Sequence, residues 1–233
     1  MKFNPLKILW ALWPALWLPT VMCQAQDKSA CEVTVAAGTM PDGSSILLHV
    51  RTAEAATSPL QISTRYFSER VKLPGNVIEL FKDPVAAKDV SPAPVPVLTL
   101  QVPAETKLAY AVLWTETDEN NQPAWKGCVF GAKDWDNNSL KVLNASSEQI
   151  SIHAGTKEIL LPRGKSADFP SRDWSEPFPV KLFQLKPEQK CIFSSTWRVT
   201  SGRRELCFIY NTNNSVSLHS ILEIPPTKRK TKP

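Results

Sequence analysis

Three histidines, two acidic loops and four cysteines carry most of the reactive side chains in the body of this 233-residue chain. His49, His153 and His219 fall in segments that read as strands, far from one another, and none belongs to a metal-ligand pair of recognised spacing. The run Glu116-Thr117-Asp118-Glu119-Asn120-Asn121 is polar throughout and joins two expected strands. Paired carboxylates hydrolyse glycosides or hold calcium, but this spacing matches no defined loop, and a solvated turn accounts for it. Asp134-Trp135-Asp136-Asn137-Asn138 is a similar loop that also carries a tryptophan, which makes it the more interesting of the two. There is no G-x-S-x-G elbow, and with eight glycines there is no phosphate-cradling loop. No catalytic residue, no metal and no cofactor is therefore expected.

Cys31, Cys128, Cys191 and Cys207 are an even set, and disulfides are expected of an exported chain. The run from Thr196 to Phe208 reads as two strands around a Ser201-Gly202 turn. In that register Cys207 faces Trp197, and Cys191 lies roughly 20 Å further along its strand. A disulfide needs Cα atoms within about 7 Å, so a Cys191–Cys207 bond is disfavoured. What remains is a bond with Cys31 or Cys128, or free buried thiols. The chain has no C-x-x-C, which disfavours metal knuckles and thioredoxin-like redox work.

Trp114 and Trp197 lie within expected strands and read as core. Trp125, Trp135 and Trp174 lie near loops with polar neighbours. An exposed indole stacks on sugar rings or anchors a protein partner, and it equally plugs the end of a sandwich. Arg198, Arg203 and Arg204 crowd one turn, where guanidiniums repel unless carboxylates or carbonyls receive them. Glu205 is a candidate receiver, and a structural clamp is favoured over a site for an acidic partner.

These residues are positioned by short runs of β-branched and aromatic residues separated by Pro, Gly, Asn and Asp. Strands are expected at 31–37, 45–51, 60–66, 77–81, 97–102, 108–117, 126–130, 139–143, 149–153, 158–161, 180–185, 191–199, 205–210 and 216–224. Residues 83–89 have room for one helical turn. The fold class is all-β, an antiparallel β-sandwich of Ig-like or jelly-roll-like type. No internal repeat is legible. Alternating prolines in 89–96 suggest a linker or a protected edge. They divide the chain into an N-terminal β region, 27–90, packed on a main sandwich domain, 91–224.

Residues 1–25 read as a cleaved secretory signal. Lys2 and Lys7 precede an apolar run, and Cys23 and Ala25 are the small residues before the cut. The run is shorter than the ~20 residues of a spanning helix, and Pro14 and Pro19 interrupt it. A lipoprotein anchored at Cys23 is the less favoured alternative. Of 27 basic residues, Lys2 and Lys7 leave with the signal, and four sit in the basic tail 225–233. The body is then close to neutral against 22 acidic residues. A nucleic-acid partner is therefore not expected, because such a protein carries its positive charge on a face. No later segment is long and apolar enough to be a transmembrane helix. Asn137, Asn144 and Asn213 begin glycosylation sequons.

Gly131, the passage 139–146, the passage 159–164 and the C-terminal Ser195-Thr196-Trp197-Arg198…Arg203-Arg204 together resemble a group of exported bacterial β-sandwich proteins of unknown function. These share a strand ending in an aliphatic-Asn-x-Ser turn, a strand leading into a Pro-x-Gly turn, and a final Arg-rich hairpin. The resemblance spans residues 98–224. It implies export and a single sandwich domain, and it carries no activity. The functional expectation is a non-catalytic periplasmic or secreted protein that binds or scaffolds a protein or glycan partner in the cell envelope. The alternative is a carbohydrate-binding module using the loop tryptophans, and an uncharacterised hydrolase comes third.

Overall fold

The computed structural model describes residues 31–40, 45–52, 54, 56–86, 94–118, 122–186, 188–212 and 215–223. The expected signal with Cys23, residues 41–44, most of the proline run, Asn213 and the basic tail lie outside the described residues. Among the described residues there is no helix, and 83–86 is irregular rather than helical. The chain is all-β, as composition and turn spacing require.

The N-terminal half contains β1 (Glu32–Ala37), β2 (Ser45–Arg51), β3 (Thr57–Ser63), β4 (Val71–Lys72), β5 (Val77–Phe81), β6 (Leu98–Gln101), β7 (Leu108–Thr117) and β8 (Pro123–Gly131). The C-terminal half contains β9 (Ser139–Asn144), β10 (Ile150–Ala154), β11 (Lys157–Leu161), β12 (Ser166–Pro170), β13 (Phe178–Gln184), β14 (Lys190–Trp197), β15 (Arg204–Asn211) and β16 (Val216–Leu222). The short edge strands β4 and β12 are absent from the sequence expectation. They have two and five residues and are held mainly by pairing to β1 and β9.

Among the described residues four four-stranded sheets result, ordered β4-β1-β7-β8, β3-β2-β5-β6, β12-β9-β15-β16 and β11-β10-β13-β14. Adding eight to each strand number converts the first pair of sheets into the second. The senses match too: β1 runs parallel to β7 and β9 parallel to β15, while the remaining pairings are antiparallel. The chain is thus two sandwiches of one topology, an internal repeat the sequence does not display. The single sandwich implied by the resemblance becomes a pair.

The division expected at 90/91 does not follow the sheets. β6 pairs with β5 and β7 with β1, so residues 98–131 complete the N-terminal sandwich. The crossing from one half to the other is the segment 132–138. The strands after the run of prolines return to sheets begun before it.

Three apolar cores alternate with the four sheets. The first, inside the N-terminal sandwich, includes Val33, Val35, Leu48, Ile62, Ile78, Ala111 and Leu113. The second, inside the C-terminal sandwich, includes Val142, Ile152, Phe169, Leu182, Cys207 and Ile209. The third lies where the β1/β7 sheet meets the β9/β15 sheet and holds Ala36, Tyr110, Val112, Trp135, Leu143, Leu206 and Phe208. Successive strand residues point to opposite faces, so β1, β7, β9 and β15 must be apolar on both. Ala109–Leu113 and Leu206–Ile209 are continuous buried runs for this reason. The halves also share backbone bonds: Phe67 N–H donates to the Leu222 carbonyl at 3.1 Å, and Leu222 N–H to that of Arg65 at 2.9 Å.

Candidate functional site

The residues singled out in the sequence are dispersed. Trp135, near a loop of polar neighbours and open to either packing or binding, packs: it is fully buried in the middle core, edge-on to Tyr110, Phe67 and Phe130 at centroid distances of 5.1, 5.8 and 6.0 Å. The crossing segment is short, and its one large side chain fills the space between the two inner sheets. Trp125 is half-buried on β8 and packs on the first core. Trp174 packs on the second, 4.1 Å from Phe178 and 5.4 Å from Phe169, with the Lys157 ammonium 5.2 Å from its ring centroid. The three loop tryptophans therefore serve three separate cores and form no common site.

The expected Arg-rich hairpin is not a hairpin. β14 pairs with β13, and β15 pairs with β9 and β16, so Arg198 to Arg203 form an arch between the two sheets of a sandwich. Arg198 is exposed. Arg203 lies 3.7 Å from Glu205. Arg204 is the clamp. Its Nε donates to the Trp135 carbonyl at 2.6 Å, and its Nη1 reaches Tyr110 Oη at 2.9 Å and Glu223 Oε2 at 3.1 Å. Tyr110 Oη donates to Glu223 Oε1 at 2.6 Å. Burial, and then that carboxylate, push the Tyr110 phenol above its ordinary pKa, which keeps it a donor. Arg204 thus joins the two halves with Glu223 as its carboxylate, while the expected receiver Glu205 lies beside Arg203.

The four cysteines are free thiols, which overturns the disulfide expectation. Cys31 enters β1 while Cys128 lies on β8, with β7 between those strands, so two interstrand spacings of about 4.8 Å separate them. Cys191 and Cys207 lie in different sheets. Burial pushes the Cys128 and Cys207 thiols up to about 12 and raises Cys31 as well, so all three stay protonated. Cys191 is exposed on β14. The histidines lie on β2, β10 and β16, in three sheets. Among the described residues, no group of three His, Cys, Asp or Glu side chains is placed to hold a metal, and no helix is long and apolar enough to cross a membrane.

What the structure does bring together is a cleft of about 390 Å³ where the two halves meet. The equivalent central strands β7 and β15 both end in it. β7 contributes Trp114, Thr115, Glu116 and Thr117, and β15 contributes Tyr210 and Asn211, followed by Thr212. Trp114 and Tyr210 flank the buried Phe208 ring, each 6.0 Å from it. Arg163 faces across from the C-terminal half, its Nη2 donating to Glu116 Oε2 at 2.8 Å, while Trp114 Nε1 donates to Glu116 Oε1 at 2.9 Å. Thr39, just past β1, accepts the Thr115 N–H at 3.1 Å.

Two turns build the opposite wall. Ala145 and Ser147 follow β9, and Arg163 sits between β11 and β12. Asn144 fixes both. Its Nδ2 donates to the carbonyls of Glu148 at 2.7 Å and Leu161 at 2.9 Å, and its Oδ1 accepts from Ser146 Oγ at 2.6 Å. The Gly164 N–H, at φ 72°, closes on the Asn144 carbonyl at 2.7 Å. Because Asn144 is fully buried with its amide committed, the sequon there is a structural turn and not an acceptor. The Asn-x-Ser and Pro-x-Gly turns named in the sequence thus shape the cleft. Trp114 read as core from its strand position, and Tyr210 was not singled out; both are half-buried and line the cleft instead.

No protein-family model matches the chain, and no curated protein matches it. The class that fold and cleft define is a tandem β-sandwich with a polar, aromatic-walled cleft at the junction.

Proposed function

We propose that this protein is exported to the cell envelope and works by binding, without catalysis, through the cleft between its two sandwiches. The observation that carries this is the convergence of the ends of β7 and β15, with the turn at Arg163, on one pocket. Ligand sites favour such junctions, with volumes of roughly 300–1,000 Å³. Glu116 is the one carboxylate among the described lining residues, and its two oxygens are engaged by Arg163 and Trp114. Glycoside hydrolysis uses two carboxylates, so this one fits a positioning role better than acid–base work. Export rests on the leader-like residues 1–25 and on the resemblance to exported proteins.

A photo-crosslinking amino acid at exposed Thr117 tests the proposal in cells of the source organism. The expected result is a reproducible adduct in the envelope fraction, lost when the same group is moved to exposed Lys181 on the far sheet. Equal adducts from both positions, or none from Thr117, would count against the cleft.

A further inference from the structure

Building on that proposal, we infer that the cleft takes a neutral saccharide, with Trp114 and Tyr210 receiving its C–H face and the Glu116–Arg163 pair its hydroxyls. The lining decides the class. Its two charged side chains neutralise each other at 2.8 Å, so neither an anion nor a cation finds a surplus opposite charge. The remainder is rich in hydroxyls: Thr115, Thr117 and Ser147 among them, with the Asn211 amide beside Ser147. An apolar ligand would strip water from these groups and return no hydrogen bonds.

An extended peptide is the competing neutral ligand. Peptides bind sheets by adding to an unpaired edge. Here the cleft is built on the ends of central strands, whose edges are taken: β7 is paired on both sides by β1 and β8, and β15 by β9 and β16. The cleft therefore offers side-chain donors, acceptors and ring faces. A sugar presents alternating hydroxyls around an apolar ring face, which matches that set. Glu116 is held as an acceptor with a guanidinium beside it. That is a planar donor–acceptor pair which two neighbouring hydroxyls of one ring can bridge.

The test is a glycan array of neutral hexose and N-acetylhexosamine oligosaccharides probed with the full mature chain. Hits are followed by tryptophan fluorescence titration, and a parallel array of envelope-derived peptides is run. Two substitutions on exposed positions read the site without touching a core: Arg163→Gln, which removes the fork, and Ser147→Trp, which fills the cleft. The expected result is binding to at least one neutral oligosaccharide, weakened tenfold or more by each variant at unchanged melting temperature. A silent glycan array, or sugar binding that survives both variants, overturns the inference. Peptide binding weakened by both variants also overturns it, while leaving the cleft as a binding site. Silence on both arrays, glycan and peptide, would fail both readings together.

Discussion

The two sandwiches share strand order and strand sense, yet they are filled differently. The first core is aliphatic, built on Val, Leu, Ile and Ala with Trp125 at its margin. The second carries a ring cluster in which Phe169 and Phe178 lie 6.0 Å apart and each lies 4.1 to 6.5 Å from Trp174 and Trp197. Their outer edges differ as well. β6 has four residues, with Pro96 before it and Pro103 after it. Its counterpart β14 has eight residues and a register shift opposite Leu182 and Phe183 that twists it. Shortness and a bulge are alternative ways to blunt an edge. What stays constant is burial of the central strands on both faces. Topology here follows from which strands must be apolar twice, and side-chain identity is free to drift within that rule.

The halves present the same sheet to each other, much as an isologous dimer would, so the comparison breaks hardest at the middle core. Phe208 is fully buried there, with Trp114, Tyr210 and His219 rings around it, and a methyl group at Gly38 would collide with it. Phe208→Ala should lower stability by about 3–5 kcal/mol. If the middle core couples the sandwiches, hydrogen exchange should quicken in both β2 and β10, which lie in the two outer sheets. Faster exchange confined to β9, β15 and β16 would show instead that the halves fold independently.

Much of this was legible in the sequence. The bounds of β2, β5 and β7 coincide with the expected ones, because β-branched runs there end at Pro, Gly or polar residues. The partner of each strand was not legible, because pairing depends on contacts distant in the chain. Trp197 and Cys207 read as hairpin neighbours around Gly202, and instead occupy different sheets. Trp135 was legible as a packing or binding residue but not as one or the other, because its neighbours are Asp and Asn. Those neighbours do face water, while the indole alone turns inward. The cleft was half legible: its two turns carry Asn-x-Ser and Pro-x-Gly signatures, but its aromatic walls directly follow buried runs and continue the same apolar stretches in the sequence.

A second contrast lies in the links that lead into the central strands. In the N-terminal half, Glu105 adopts φ 60° before β7; in the C-terminal half, Gly202 adopts φ 84° before β15. A left-handed residue with a Cβ costs about 1–2 kcal/mol, and glycine avoids this at an entropic cost of about 0.5–1 kcal/mol. Gly202→Ala should therefore destabilise by about 1 kcal/mol, and Glu105→Gly should stabilise by about 0.5 kcal/mol. Urea denaturation of the two variants reads both signs. Two changes of like sign would mean that the links are not equivalent.

The smallest expected effect concerns His219, which the C-terminal half sets against the N-terminal loop. It lies on β16 opposite Phe208, with the Tyr210 ring 5.4 Å away, and burial lowers its pKa, partly offset by a backbone hydrogen bond with Thr64. A base whose folded pKa is lowered binds its proton more readily when unfolded. Stability is therefore complete above the ordinary histidine value of about 6.5 and is lost as pH falls from there through the folded pKa. Chemical denaturation at a series of pH values between 7 and 5 should show the decline in the parent protein. In His219→Gln the decline should flatten. A slope unchanged in His219→Gln would assign the pH dependence to groups away from the junction, and would leave the two halves electrostatically indifferent to each other there.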